Sequence, residues 1–317
     1  MTVKGGPNNT DTSMQGTVAF EENANAISTD DFAVTTVSGD ATGDGTAVSA
    51  SSGTSVDVTV SNIGGAGSIR LDLNANTNII NDDANGGGTN GYVSTYTSGA
   101  SHDVDLIAPV ISAIVIPNSS HKVGDTVNAT ITVSTDTDVY TLGASSVGGY
   151  TLASFSKTND TTYTASFTIT DGGADVDAAA DIPVSLILTD ASGNSNAAFT
   201  TAISQVSDAI YANLPDFTLS AADGSLGESG DTEIITASIT GSLNNIWPGN
   251  LTVPLSFNDT NNSGINNDYS VSASSITITA GQSSDSITAT GMDDVIFDAP
   301  SNESFVVSIN SLSIGND

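Results

Sequence analysis

Aspartate is the residue type through which this chain is equipped to do chemistry. Of its 36 acidic residues only Glu21, Glu22, Glu228, Glu233 and Glu303 are glutamates, which leaves 31 Asp against the four basic residues Lys4, Arg70, Lys122 and Lys157. Glu is the usual solvating acid of helical surfaces, whereas Asp sits in turns and holds hard cations on a short arm. The Asp residues recur within turn-like stretches: Asp103 with Asp105, Asp136 with Asp138, Asp171 with Asp175 and Asp177, and then Asp208. Calcium takes six to eight oxygens at about 2.3–2.6 Å from carboxylates, carbonyls and water. Loops that gather these side chains at the end of a sheet would supply such oxygens, so all eight are candidate Ca2+ ligands. Like carboxylates brought together without a cation repel, which links metal to folding. The competing reading of each single Asp is turn capping or solvation, and that of the total charge is solubility or adaptation to salt.

Other chemistries find less support. Asp259-Thr260-Asn261-Asn262-Ser263-Gly264 opens like an EF-hand loop, but its twelfth position is Ser270 rather than Glu. Gly64-Gly65-Ala66-Gly67-Ser68-Ile69 opens like a calcium β-helix nonapeptide without the required Asp. Asn-x-Ser/Thr matches such as Asn128-Ala129-Thr130 are expected by chance in so Asn- and Thr-rich a chain. His102 and His121 are the only histidines, there is no Cys, and no nucleophile elbow is present. A glycosidase would need an aromatic-lined cleft beside its two acids. Trp247 is the only Trp, and Trp247-Pro248 reads as cover for a core edge. The expectation is a chain that is not an enzyme.

The elements that must position the carboxylates are strands. Period-two alternation recurs in 56–60, 68–73, 127–133, 163–169, 184–188, 251–257, 275–278 and 305–309, in most of them with one face apolar and the other Thr, Ser or Asp. Such strands are half buried, as in antiparallel sheets with one wet face. Pro254 inside one of them suggests an edge or a bulge. Between the strands lie Gly, Asn, Asp and Ser clusters such as Asp171-Gly172-Gly173-Ala174-Asp175, which are turn chemistry. Short strands at this spacing predict β-sandwiches. The 317 residues suit two or three domains. Two short, carboxylate-bearing boundaries, 103–109 and 207–216, divide them into 1–107, 108–209 and 210–317.

A net charge of −32 argues against nucleic acid and anionic membrane surfaces as partners. No run of about 18 apolar residues exists to insert in a membrane. The first residues lack the apolar core of a signal peptide, and the chain is expected to be a piece of something longer.

Residues 1–107 resemble a bacterial Ig-like repeat of giant surface proteins, through Gly16-Thr17-Val18-Ala19-Phe20-Glu21-Glu22, Ser28-Thr29-Asp30-Asp31-Phe32, 67–73 and Ile79-Ile80-Asn81-Asp82-Asp83. Residues 108–209 resemble a second such module, through Lys122-Val123-Gly124-Asp125-Thr126-Val127, 159–165, Asp181-Ile182-Pro183-Val184 and Leu188-Thr189-Asp190-Ala191-Ser192-Gly193-Asn194. Residues 210–317 are similar to a Calx-beta domain, through Gly227-Glu228-Ser229-Gly230, Asn267-Asp268-Tyr269, 276–282 and Asp293-Asp294. That last resemblance implies calcium at one end of the sandwich, held by Glu228, Asp268, Asp293 and Asp294. Asp298 and Glu303 are further candidates on the stretch that follows, and the domain is expected to stop before its last strand.

Together these resemblances point to the extension region of a large secreted adhesin of the repeats-in-toxin type at a bacterial cell surface. The implied architecture is all-β, three tandem Ig-like and Calx-beta-like antiparallel sandwiches, monomeric, with neighbouring domains of the same long chain as its partners. The implied work is to carry a distal binding region outward while calcium stiffens the string. A rival expectation makes one domain itself a binder of carbohydrate or of a cell-surface protein, and a third makes the chain part of a surface layer.

Overall fold

A computed structural model describes residues 2–4, 11–75, 77–81, 95–136, 138–227, 230–260, 268–293 and 304–310. The protein is all-β, built as tandem antiparallel β-sandwiches, and the only helical elements among the described residues are two short 3-10 turns. The chain divides into two compact units. The first comprises Met1–Ile111, Ser134–Gly143 and Ile187–Ala197; the second comprises Ser112–Val133, Ala144–Leu186 and Ala198–Asp317.

The first unit places one sheet, in the order Thr2–Lys4, Met14–Asn25, Ser52–Gly64, Thr42–Val48, against a second, in the order Phe32–Gly39, Ala66–Leu73, Ser101–Asp105. The period-two pattern decides which residues face inward. Val56, Val58 and Val60 of the first sheet bury against Ile69, Leu71 and Val104 of the second, all nearly solvent-free. Each such side chain contributes roughly 1.5–3 kcal/mol relative to leaving it exposed. Asp57, Thr59 and Arg70 alternate outward. Gly39 and Gly67 are paired across the second sheet, both at positive φ (67° and 137°). A Cβ on Gly67 would sit 2.1 Å from the carbonyl oxygen of Ser38, so only glycine fits where these strands meet. A small pair, Thr141–Leu142 with Leu188–Thr189, completes the unit.

In the second unit a sheet in the order Ala153–Asn159, Thr162–Thr168, Thr126–Val133, Ile111–Val115 is accompanied by a three-stranded sheet, Tyr150–Thr151, Ser146–Val147, Val184–Ser185. Val127, Ala129, Ile131 and Val133 alternate inward, as do Tyr163, Ala165 and Phe167. The expected single strand over 184–188 is broken. Val184–Ser185 pairs with Ser146–Val147, Leu186 bridges to Phe199, and Leu188–Thr189 pairs with Thr141–Leu142. A single strand-like run in the sequence thus serves three partners.

The same unit holds a further sandwich. Its sheets run Asp216–Ala221, Thr232–Thr240, Ser284–Gly291, Tyr269–Val271 and Ser275–Ile278, Leu251–Thr260, Ser304–Ile309. Ile235, Ala237, Val253, Ile276, Ile278 and Ala289 form its core. Pro254, lacking an N–H, stands where Leu251–Thr260 changes partner from Ser275–Ile278 to Ser304–Ile309. Its carbonyl still accepts from Asn310 N at 2.9 Å. Trp247 is buried, with its ring edge toward Tyr211 at 6.0 Å, so it belongs to the core as the sequence suggested.

Candidate metal centre

Within the first unit, Asp105, Asp138 and Asp190 each present one carboxylate oxygen such that the three oxygens lie within 4.8 Å of one another. Among the described residues no other three acidic or imidazole side chains gather so closely. Oxygens that share one calcium at about 2.3–2.6 Å can be at most about 5 Å apart, so each pair of these oxygens is close enough to share an ion.

Each carboxylate is placed by a different element. Asp105 ends the strand Ser101–Asp105; Val104 points into the core, which by strand alternation sends Asp103 and Asp105 to the opposite face. Asp105 Oδ1 accepts from Ile107 N at 3.2 Å, and Oδ2 accepts from Ser192 Oγ at 2.6 Å. Asp138 follows a turn closed by Asp136, whose Oδ1 accepts from Asp138 N at 2.9 Å and whose Oδ2 accepts from the buried Tyr140 hydroxyl at 2.6 Å. Asp190 is the buried member, 6% exposed. Its Oδ1 accepts from Ser192 N (2.9 Å) and Asn194 N (2.8 Å), and its Oδ2 from Asn194 Nδ2 (2.9 Å). Asn194 Nδ2 also donates to the Asp105 carbonyl at 3.0 Å, which ties the Asp190 turn to the end of the Asp105 strand. The pairing of Thr141–Leu142 with Leu188–Thr189 then sets the Asp138 turn beside the Asp190 turn.

The electrostatics favour a cation. Two unit charges about 4 Å apart repel by roughly 1 kcal/mol in bulk water and roughly 4 kcal/mol at the effective dielectric near a protein surface. The basic side chains with described ion pairs are engaged locally: Arg70 with Asp72 at 2.6 Å, Lys122 with Asp125 at 3.5 Å and Lys157 with Asp160 at 2.9 Å. The donor set is oxygen only, which suits a hard cation such as calcium.

The sequence named Asp105 and Asp138 as ligands and missed Asp190, which it quoted only within the motif Asp190-Ala191-Ser192-Gly193-Asn194. Asp103 is exposed on the same strand as Asp105, and Asp136 shapes the Asp138 turn. Asp171, Asp175 and Asp177 each spend one oxygen on nearby chain: Asp171 Oδ1 accepts from Leu214 N (2.9 Å), Asp175 Oδ1 from Ala212 N (2.7 Å) and Asp177 Oδ1 from Asn244 Nδ2 (2.7 Å). Asp208 is fully buried. Asp268 is half-buried at the start of the strand Tyr269–Val271, and Asp293 is exposed. Glu228, Asp294, Asp298 and Glu303 lie outside the described residues. Glu233 is buried and its Oε1 accepts from Asp223 N and Gly224 N at 3.1 and 3.3 Å. The Ser225 amide and hydroxyl, then Glu233, hold the Asp223 carboxyl below the usual carboxylate range.

Other acids are occupied as turn caps. Asp31, 2% exposed, accepts from Ser28 N and from the Thr77 hydroxyl, and Asp40 Oδ1 accepts from Ala66 N at 2.9 Å. His121 is buried with Nε2 3.0 Å from the Pro117 carbonyl, the bond of a satisfied core imidazole.

Residues 105–206 match the family of bacterial Ig-like domains, a span that begins at Asp105 and takes in Asp138 and Asp190. Among solved structures the chain is similar to FdeC, an Escherichia coli adhesin, at 15% identity and a TM-score of 0.32 over 90% of each chain. It is also similar to the D00–D0 domain of intimin, at 20% identity and a TM-score of 0.23 over 57% of this chain and 85% of that one. No curated protein matches the sequence.

Proposed function

We propose that the chain is an extender segment of a large bacterial cell-surface adhesin, and that calcium held by Asp105, Asp138 and Asp190 stiffens it. The observation that carries the reading is the meeting of those three carboxylates from separate parts of the sequence. An ion there would cross-link the end of the strand Ser101–Asp105 to the turns in Ser134–Gly143 and Ile187–Ala197, converting repulsion into a tie. The bacterial Ig-like match over residues 105–206 supports the surface setting. The finer reading divides the chain at 107 and 209 into two Ig-like modules and a Calx-beta-like domain of the repeats-in-toxin type. It makes the chain non-enzymatic and gives it neighbouring domains of the same long polypeptide as partners.

Scanning calorimetry with calcium and with chelator tests this. A ligand that binds only the folded state at 100 times its dissociation constant stabilises by about 2.7 kcal/mol. The first unit is therefore expected to melt several degrees lower in chelator. Identical melting curves in the two buffers would remove the calcium tie from the reading.

A further inference from the structure

A second carboxylate in the second unit poses a sharper electrostatic problem than the three-Asp centre. Asp208 is 0% exposed, and among the described residues neither of its oxygens has a hydrogen-bond partner. Its burial follows from its strand-like segment. Ile210–Tyr211 pairs in parallel with His121–Lys122 on one side, and Ile210 bridges to Val176 on the other. Asp208 therefore enters a segment covered from both flanks.

An ionised carboxylate buried without partners costs several kcal/mol. The surroundings add negative rather than positive charge. Asp171 and Asp175 accept from the same linker, at Leu214 N and Ala212 N. The basic residue in register with Tyr211 is Lys122, whose Nζ faces Asp125 at 3.5 Å. A divalent cation bound by both oxygens would satisfy them and neutralise the charge in one step. A carboxylate that meets no N–H or O–H is suited to a metal and poorly suited to a structural hydrogen bond.

We propose that Asp208 anchors a buried hard-cation site, with calcium as the ion, on the linker segment 207–214. The proposal does not depend on the Asp105, Asp138 and Asp190 centre, which lies in the other unit.

Native mass spectrometry of the 317-residue chain titrated with calcium chloride counts the ions directly. Asp208→Asn is expected to bind one calcium fewer than the unaltered chain and, in chelator, to melt higher, because the buried charge is gone. Asp190→Asn is expected to lose its own ion and keep that of Asp208, so the two readings fail separately. Crystals of the unaltered chain soaked in a lanthanide salt supply a measurement that does not depend on how the variant folds. An anomalous peak about 2.3–2.6 Å from the Asp208 carboxylate is expected. An unchanged calcium count in Asp208→Asn, or an anomalous map with no peak at that carboxylate, overturns the proposal.

Discussion

Asp190 serves at once as a turn cap and as the buried corner of the candidate metal centre, and substitution can separate the two roles. In Asp190→Asn the side-chain oxygen can still accept from the Ser192 and Asn194 amides, so the turn is retained while the negative charge is removed. The variant gives up the Asn194 Nδ2 bond to Oδ2 along with the charge, so its diagnostic is the loss of most of the calcium-dependent rise. With about 2.7 kcal/mol at stake, that rise is of order 5–10 °C for a unit of this size. Calorimetry of both proteins in both buffers reads it, and a retained rise in the variant would exclude Asp190 as a ligand. Asp72 gives a second residue-scale test. Arg70 Nε and Nη2 donate to it at 2.6 and 2.9 Å and Thr35 Oγ1 at 2.6 Å. The Arg70 bond holds its carboxyl below the usual range against the opposing effect of burial. A depressed folded value means the stabilisation is complete above the unfolded value, about pH 4, and fades as pH falls through the folded one. The unaltered chain should therefore lose stability more steeply than Asp72→Asn when acidified below about pH 4, as read by denaturant midpoints at stepped pH.

At the scale of elements, the strands were legible because a half-buried strand writes its two faces into alternate residues. Val127 to Val133 and Tyr163 to Phe167 show that pattern, and both are strands with the expected residues buried. The run 184–188 misled because apolar residues that serve several short pairings look the same in sequence as one strand with a single partner. Turns were legible as turns, but their meeting was not. Asp190-Ala191-Ser192-Gly193-Asn194 announces a cap through its residue types, whereas its nearness to Asp105 and Asp138 is a product of tertiary pairing that no local pattern encodes. Asp208 reads in sequence as one more turn aspartate, and nothing in its neighbours signals complete burial. The linker that carries it also carries Tyr211. Burial pushes the Tyr211 phenol up, with Asp177 and then Asp175 adding to the shift. A raised folded value means stability is intact below the unfolded value near pH 10 and is lost as pH rises through the folded one. The unaltered chain is expected to destabilise on alkaline titration beyond about pH 10 more than Tyr211→Phe does. Equal alkaline slopes would mean that Tyr211 ionises as freely as an exposed tyrosine.

At the scale of the whole molecule, a formal charge of −32 makes any added salt stabilising to some degree, so a rise in melting temperature with calcium is not by itself proof of sites. Screening and site binding differ in what they depend on. Screening follows ionic strength, with a Debye length of about 10 Å at 0.1 M, and is indifferent to which carboxylates are present. Site binding depends on particular oxygens and saturates. Sodium chloride and calcium chloride at matched ionic strength, applied to the unaltered chain and to Asp190→Asn/Asp208→Asn, therefore separate the two. The sodium response is expected to be nearly the same in both proteins, because removing two charges of so many alters the general repulsion little. The calcium response is expected to exceed the sodium response only in the unaltered chain, and to level off once the sites fill. If the double variant gained as much from calcium, the acidity would be acting as a diffuse atmosphere, and the stiffening would have to be sought in the packed sandwich cores instead of in bound ions.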